Sequence, residues 1–269
     1  MTRLALLGGG RMGEALLGGL VDAGWDPGSL SVAEPDADRR RALEAAFPSA
    51  RVVPSPAWAV PDAAVVVVAV KPHHVAEALE QAGPALADGA LVLSIAAGVT
   101  LAALEACSPG RPVVRAMPNT PALVRKGVSA IAGGTHATAG DLDLAERVLG
   151  SVGVVVRVPE GQLDAVTGLS GSGPAYVFLV AEALIEAGVL VGLPRDVART
   201  LVAQTLVGSA ALLAAGDETP EALRAAVTSP GGTTAAGLAA LEAHGVRAAL
   251  LDAVRAATDR SRELGRPPS

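Results

Sequence analysis

Short apolar runs at 4–7, 30–33, 64–70, 90–95 and 113–116 alternate strictly with amphipathic stretches at 12–23, 38–47 and 75–86. No other feature limits the fold as much. The runs are too continuous for half-exposed strands, so they predict strands covered on both faces. Strand and helix repeated in turn predict a parallel, doubly wound sheet. Further runs at 128–132 and 152–158, separated by the helical pattern 139–149, extend it. From Glu160 onward strand signals cease and Ala- and Leu-rich helical periodicity takes over, punctuated by Gly-Pro, Leu-Pro, Thr-Pro and Ser-Pro steps. The chain reads as an α/β domain over 1–159 and an all-α domain over 160–269, with a frayed G-R-P-P-S tail.

Composition narrows the function. Aromatic residues are 2% of the chain, so the core is built from Ala, Val and Leu, which favours close helix packing over a deep aromatic pocket. The patterns 176–193 and 197–213 are apolar on more than one face. A small helical bundle cannot bury such helices alone, so a second copy of the chain is expected to cover them; the alternative is that alanine-rich helices merely look apolar. A net charge of -6 without a basic run excludes an electrostatic footprint for nucleic acid or an anionic membrane. The lone cysteine, Cys107, has no partner for a disulfide or a zinc site and fits a reducing cytoplasm. The longest apolar run, 63–70, is far short of the roughly 20 residues of a membrane span, and the apolar start ends in glycines too soon for a signal peptide. The expectation is a soluble, cytoplasmic protein.

Gly8-Gly9-Gly10-Arg11-Met12-Gly13 follows the first predicted strand and opens the first helix. In that setting G-x-G-x-x-G predicts a dinucleotide-binding, Rossmann-type domain. Gly8 permits the tight turn, Gly10 admits a diphosphate, Gly13 lets helix and strand pack closely, and the helix N-terminus holds the anion. Glu34, at the end of the second strand, is placed to accept a ribose 2'-hydroxyl. That position favours NAD, whereas Arg39, Arg40 and Arg41 offer charge for the 2'-phosphate of NADP, so the choice between NADH and NADPH stays open.

Three further strand ends fall on the same predicted edge. Val70-Lys71-Pro72 closes one, Ala96-Ala97 lies beyond the next, and Asn119 stands in Met117-Pro118-Asn119-Thr120-Pro121 beyond the third. Ligands of open parallel sheets sit at such ends. His73 and His74 are read as solvent-facing. In the helical half, 164–176 carries Thr167, Ser170, Ser172 and three glycines, with Ser172 expected to cap the helix that Pro174 begins. At 227–238, Pro230 is expected to end one helix and Thr233 to begin another, with glycine amides in the gap. Such a helix start is an anion site.

G-G-G-R-M-G, V-K-P, S-I-A-A-G-V, R-A-M-P-N-T-P-A-L-V, V-T-G-L-S-G-S-G-P-A-Y and S-P-G-G-T-T occur here in the order and setting they have in pyrroline-5-carboxylate reductases. The chain resembles that family over nearly its whole length. The resemblance implies NADPH- or NADH-dependent reduction of the cyclic imine 1-pyrroline-5-carboxylate to L-proline, and a helical domain that forms a homodimer and larger rings such as a decamer. It implies that Ser229, Gly231, Gly232 and Thr234 hold the substrate carboxylate and that Thr167 lies near the ring nitrogen. A protonated imine is already electrophilic, so positioning of hydride donor and acceptor is the main requirement. A β-hydroxyacid dehydrogenase is a rival reading, but that class uses a lysine in its helical domain, and here the lysines are Lys71 and Lys126. A non-catalytic nucleotide-binding scaffold is a third, disfavoured because glycine turn and substrate loop both survive.

Overall fold

A computed structural model describes residues 2–265; the tail residues from Arg266, expected to fray, lie outside the described residues. The strands are β1 (Leu4–Leu7), β2 (Leu30–Ala33), β3 (Arg51–Val53), β4 (Val65–Val68), β5 (Leu91–Ser94), β6 (Val113–Met117), β7 (Gly127–Gly133) and β8 (Gly153–Arg157). The helices are α1 (Arg11–Asp22), α2 (Ala37–Ala46), α3 (Pro56–Ala59), α4 (Val75–Ala82), α5 (Leu101–Cys107), α6 (Ala139–Gly150), α7 (Leu163–Val166), α8 (Gly173–Leu190), α9 (Arg195–Ala215), α10 (Pro220–Ala226), α11 (Thr233–Ala243) and α12 (Val246–Leu264).

Among the described residues the eight strands form one sheet in the order β3-β2-β1-β4-β5-β6-β7-β8. The order reverses between β1 and β4, where chains leave for opposite sides and a crevice opens at the carboxyl ends. Burial on both faces explains the continuous apolar runs. Leu4, Leu6, Val65 and Val67 pack into the core on one face, and Ala5, Leu7, Val66 and Val68 into the core on the other. One strand departs from the parallel expectation: β7 runs antiparallel to β6, pairing Met117 with Ala130, and parallel to β8. The cause is the connection. Residues 118–126 hold only a short 3₁₀ turn over Thr120–Val124, whereas a parallel return needs a crossover of a dozen or more residues. The three-residue edge strand β3 carries no run long enough to predict.

By backbone contacts the described residues form two compact units, one running to Ser172 and resuming from Ala256, the other Gly173–Arg255. The sequence reading divides the chain at Pro159 instead. Strand signals do end there, but α7 and the turn after it pack on the first unit, where α7 contacts β7. The 164–176 segment is also not a break. After α7 the chain widens into a π turn over Thr167–Gly171, closed by the Ser172 amide donating to the Thr167 carbonyl at 2.8 Å. Ser172 has helical dihedrals (φ -82°, ψ -21°) rather than the extended ones of an N-cap, so it does not cap α8. Single π turns are uncommon and often mark functional positions.

In the second unit α8 and α9 pack on each other; α10, α11 and the first part of α12 complete it. Its apolar side chains are largely uncovered: Phe178 is 67% exposed and Leu190 86%. The segments Glu160–Leu190 and Arg195–Ala215 are long and apolar enough to cross a bilayer by length and composition alone. That is more than the contiguous apolar runs of the sequence indicate, because a helix gathers apolar residues separated by small and polar ones.

Candidate active site

The glycine turn sits at the point where the strand order reverses. Gly8 has φ +107°, and a Cβ there would lie 2.8 Å from the Ala69 carbonyl oxygen on β4's exit. Gly13 has no room either: its Cβ would fall 2.2 Å from the Gly8 carbonyl oxygen. Gly10 differs, with no atom within 4 Å of a Cβ built on it. It is the N-cap of α1, and no side chain caps that helix start, which leaves the first-turn amides of Arg11 and Met12 to an external acceptor. A crowded turn with one open side and uncapped helical N–H groups fits a diphosphate.

Glu34 braces this turn. Its buried carboxylate accepts from the Gly9 amide at 2.9 Å and, through its other oxygen, from the Asp36 amide at 3.0 Å. Arg39 braces it from the other side, donating from Nε to the Gly9 carbonyl at 2.6 Å and from Nη2 to Glu14 at 2.5 Å. Arg40 donates to the carbonyls of Glu34 and Pro35, and Arg41 pairs with Asp38. Gly8 and Val70 line a cavity of about 250 Å³ together with Pro54, Pro56 and His74.

A larger cavity of about 880 Å³ in the same unit brings Pro72, Ala97 and Thr167 together with Ser172, Arg260 and Ser261. The first two stand on the loops after β4 and β5. Lys71 is exposed and precedes the 3₁₀ turn Pro72–His74; Ala96 is buried, its amide donating to Ser94 Oγ at 3.3 Å. Thr167 is half-buried and donates from Oγ1 to the Leu163 carbonyl at 2.8 Å, which commits the hydroxyl proton and leaves its lone pairs. Asn119 ties the end of β6 to its neighbours. Its side chain spans structure: Nδ2 donates to the Ser170 carbonyl at 3.1 Å and Oδ1 accepts from the Val128 amide at 2.9 Å.

The loop in the second unit has its own logic. α10 stops at Ala226, so Pro230 does not end it; Pro230 instead sits at the second position of a turn in which the Gly232 amide donates to the Ser229 carbonyl at 3.0 Å. Gly231 follows with φ +69°, which makes this a type II turn with proline and glycine where that turn wants them. Gly232 then N-caps α11 without a side-chain cap, so the amides of the first turn, including Thr234, are open to an anion. The Gly232 amide itself is used within the turn.

Sequence reading missed Arg260 and Ser261, which stand late in α12 with no motif around them. Ser261 Oγ donates to Asp164 at 2.7 Å, and Arg260 pairs with Glu263 at 2.7 Å. Among the described residues no group of three His, Cys, Asp or Glu side chains is arranged to hold a metal ion.

Comparison with known proteins agrees with this layout. Residues 160–264 match the family model described as pyrroline-5-carboxylate reductase dimerisation, and residues 3–98 match NADP oxidoreductase, coenzyme F420-dependent. A pyrroline-5-carboxylate reductase of Mycobacterium tuberculosis is 48% identical, covering 98% of this chain and 97% of its own length. A solved pyrroline-5-carboxylate reductase from Coxiella burnetii superposes with a TM-score of 0.94 at 34% identity, over 99% of both chains. The pyrroline carboxylate reductase of Plasmodium falciparum, solved with NADP bound, gives 0.85 at 31% identity over 98% of both. With motifs, sheet order and near-full-length identity in agreement, the chain belongs to the pyrroline-5-carboxylate reductase family.

Proposed function

We propose that this protein reduces 1-pyrroline-5-carboxylate to L-proline, the last step of proline biosynthesis, with NADPH or NADH as hydride donor. The structural observation that carries the reading is the open face of Gly10 above the uncapped start of α1, in a chain of this family. The nicotinamide supplies the hydride when bound. Gly8, Gly10, Arg11, Met12 and Gly13 hold the diphosphate, Glu34 faces the ribose, and Val70, Lys71, Pro72, Ala96 and Ala97 line the remainder of the cofactor's path. Asn119 serves that path by holding the strand end in place.

The substrate brings a carboxylate and a protonated ring nitrogen. Ser229, Gly231 and Thr234 take the carboxylate through hydroxyls and amides, which suits an anion without any lysine or arginine. Gly232, whose own amide closes the turn, sets the α11 start beside it. Thr167 takes the ring N–H: a hydroxyl whose proton already goes to Leu163 offers lone pairs to a cationic donor. That holds the positive charge on nitrogen, and the adjacent carbon stays electrophilic until the hydride arrives. Near-attack positioning of the imine carbon against the nicotinamide is what the rate depends on.

Residues 160–269 act as the substrate-binding and dimerisation module, residues 1–159 as the dinucleotide domain, and the enzyme works in the cytoplasm. The exposed apolar helices are covered by a second copy, and the resulting dimers build a larger ring such as a decamer. An initial-rate assay with the cyclic imine and each reduced nicotinamide tests the reading. Turnover to proline is expected; cofactor oxidation that does not depend on the imine would overturn it.

A further inference from the structure

We infer that this enzyme selects NADH over NADPH, with Glu34 as the specificity-determining residue and Arg39 committed to the glycine turn rather than to a 2'-phosphate. The inference rests on the reading of the glycine turn as the dinucleotide site. Glu34 ends β2 beside that turn, and its carboxylate is fixed there by the Gly9 and Asp36 amides at 2.9 and 3.0 Å. Two accepted bonds leave a carboxylate with lone pairs for one more donor. A ribose hydroxyl is such a donor. A 2'-phosphate has no proton to spare at neutral pH and brings negative charge against negative charge, a repulsion only weakly screened beside a buried group.

The three arginines after β2 are the counter-argument, and the structure answers each of them. Arg39 meets the Gly9 carbonyl through Nε and the Glu14 carboxylate through Nη2, so turning it toward a phosphate removes a brace of the turn that holds the diphosphate. Arg40 is anchored through Nη1 to the backbone carbonyls of Glu34 and Pro35, and Arg41 faces Asp38 on an exposed part of α2. Near the glycine turn and the end of β2, the carboxylates of Glu14, Glu34, Asp36 and Asp38 balance the guanidinium groups of Arg11, Arg39, Arg40 and Arg41, so this corner carries no excess of positive charge for a 2'-phosphate. With no spare cation beside it, the Glu34 carboxylate disfavours a 2'-phosphate, while its remaining lone pairs can accept from a neutral ribose hydroxyl.

Titration calorimetry of the purified protein with NADH and with NADPH, without imine, reads the preference directly. Wild type is expected to bind NADH at least about tenfold more tightly, which is a difference of 1.4 kcal/mol. Glu34→Gln removes the charge and keeps one acceptor, and it is expected to shrink the ratio of the two affinities to within about twofold. Arg39→Ala is expected to weaken both cofactors by similar factors. Equal or tighter NADPH binding by wild type overturns the inference, as does an unchanged ratio in Glu34→Gln or a loss confined to NADPH in Arg39→Ala. Should Glu34→Gln fail to fold, the wild-type ratio and Arg39→Ala still decide. Binding of neither cofactor by folded wild type would instead remove the underlying site assignment.

Discussion

The side-chain amide of Asn119 donates to the carbonyl of Ser170 at 3.1 Å, and so ties the end of β6 to the π turn that carries Thr167. The same side chain accepts from the Val128 amide at 2.9 Å, which makes it a three-way junction of strand end, neighbouring strand and turn. Asn119→Ala leaves a half-buried carbonyl and a backbone N–H unpaired, at about 1–3 kcal/mol for each group that water cannot reach. The expected outcome is a lower denaturation midpoint together with a fall in kcat larger than any rise in KM for the cofactor. Asn119→Asp keeps the bond from Val128 but faces Ser170 with an acceptor. It should recover part of the stability and little of the turnover.

Gly13 and Gly10 separate folding from binding. A methyl group on Gly13 must displace the Gly8 backbone, so Gly13→Ala is expected to lower stability by about 1–3 kcal/mol, the range for overpacking a tight site. Gly10→Val meets nothing within 4 Å at its Cβ and is expected to leave the thermal midpoint close to wild type. The same substitution fills the space above α1 and should abolish measurable cofactor binding. Normal affinity in folded Gly10→Val would remove the diphosphate from this turn.

Much of this was readable before any coordinates, for physical reasons. Strands buried on both faces leave continuous apolar runs, and positions that forbid a Cβ leave glycine, so the sheet and Gly8 and Gly13 are legible. What was not legible depends on partners distant in sequence. Nothing around Asn119 announces Ser170, and nothing around Ser261 announces Asp164. The antiparallel β7 followed from the shortness of a connection rather than from the strand itself. The 164–176 segment misled because glycine and serine usually end helices, whereas here they widen one.

Thr167→Val tests whether the hydroxyl acts on the substrate or only on its own helix. The bond from Oγ1 to the Leu163 carbonyl is local, and such back-bonding within helices contributes little to stability. The midpoint is therefore expected to move little, while kcat falls by about tenfold, equivalent to 1.4 kcal/mol of lost transition-state stabilisation. An unchanged kcat would leave the hydroxyl a structural role alone.

Phe178 tests what covers the apolar helices. It lies on α8, 67% exposed, next to Leu179 at 66%. Aromatic anchors of this kind are worth 2 kcal/mol or more in an interface, as an order of magnitude. Phe178→Glu is expected to shift the mass measured by light scattering from oligomer toward monomer, with helical content by circular dichroism retained. Oligomeric mass unchanged by that charge would place the subunit contact elsewhere.

Thr234 and Gly232 test the substrate loop. Thr234→Ala removes a hydroxyl at the start of α11 without touching the turn before it, so the fold should be indifferent. Its expected signature is a KM for pyrroline-5-carboxylate raised about tenfold, with the KM for the cofactor within about twofold, the pattern of a lost ground-state contact. Gly232→Ala acts on the turn itself, because the added Cβ would stand 2.4 Å from Ser229 Oγ and 3.1 Å from the Ser229 carbonyl oxygen. The hydroxyl can rotate away, but the carbonyl closes the turn through the Gly232 amide and cannot. Gly232→Ala is therefore expected to raise the imine KM more than Thr234→Ala does, again sparing the cofactor. Equal rises for both ligands in either variant would show that the loop supports the protein as a whole rather than the carboxylate.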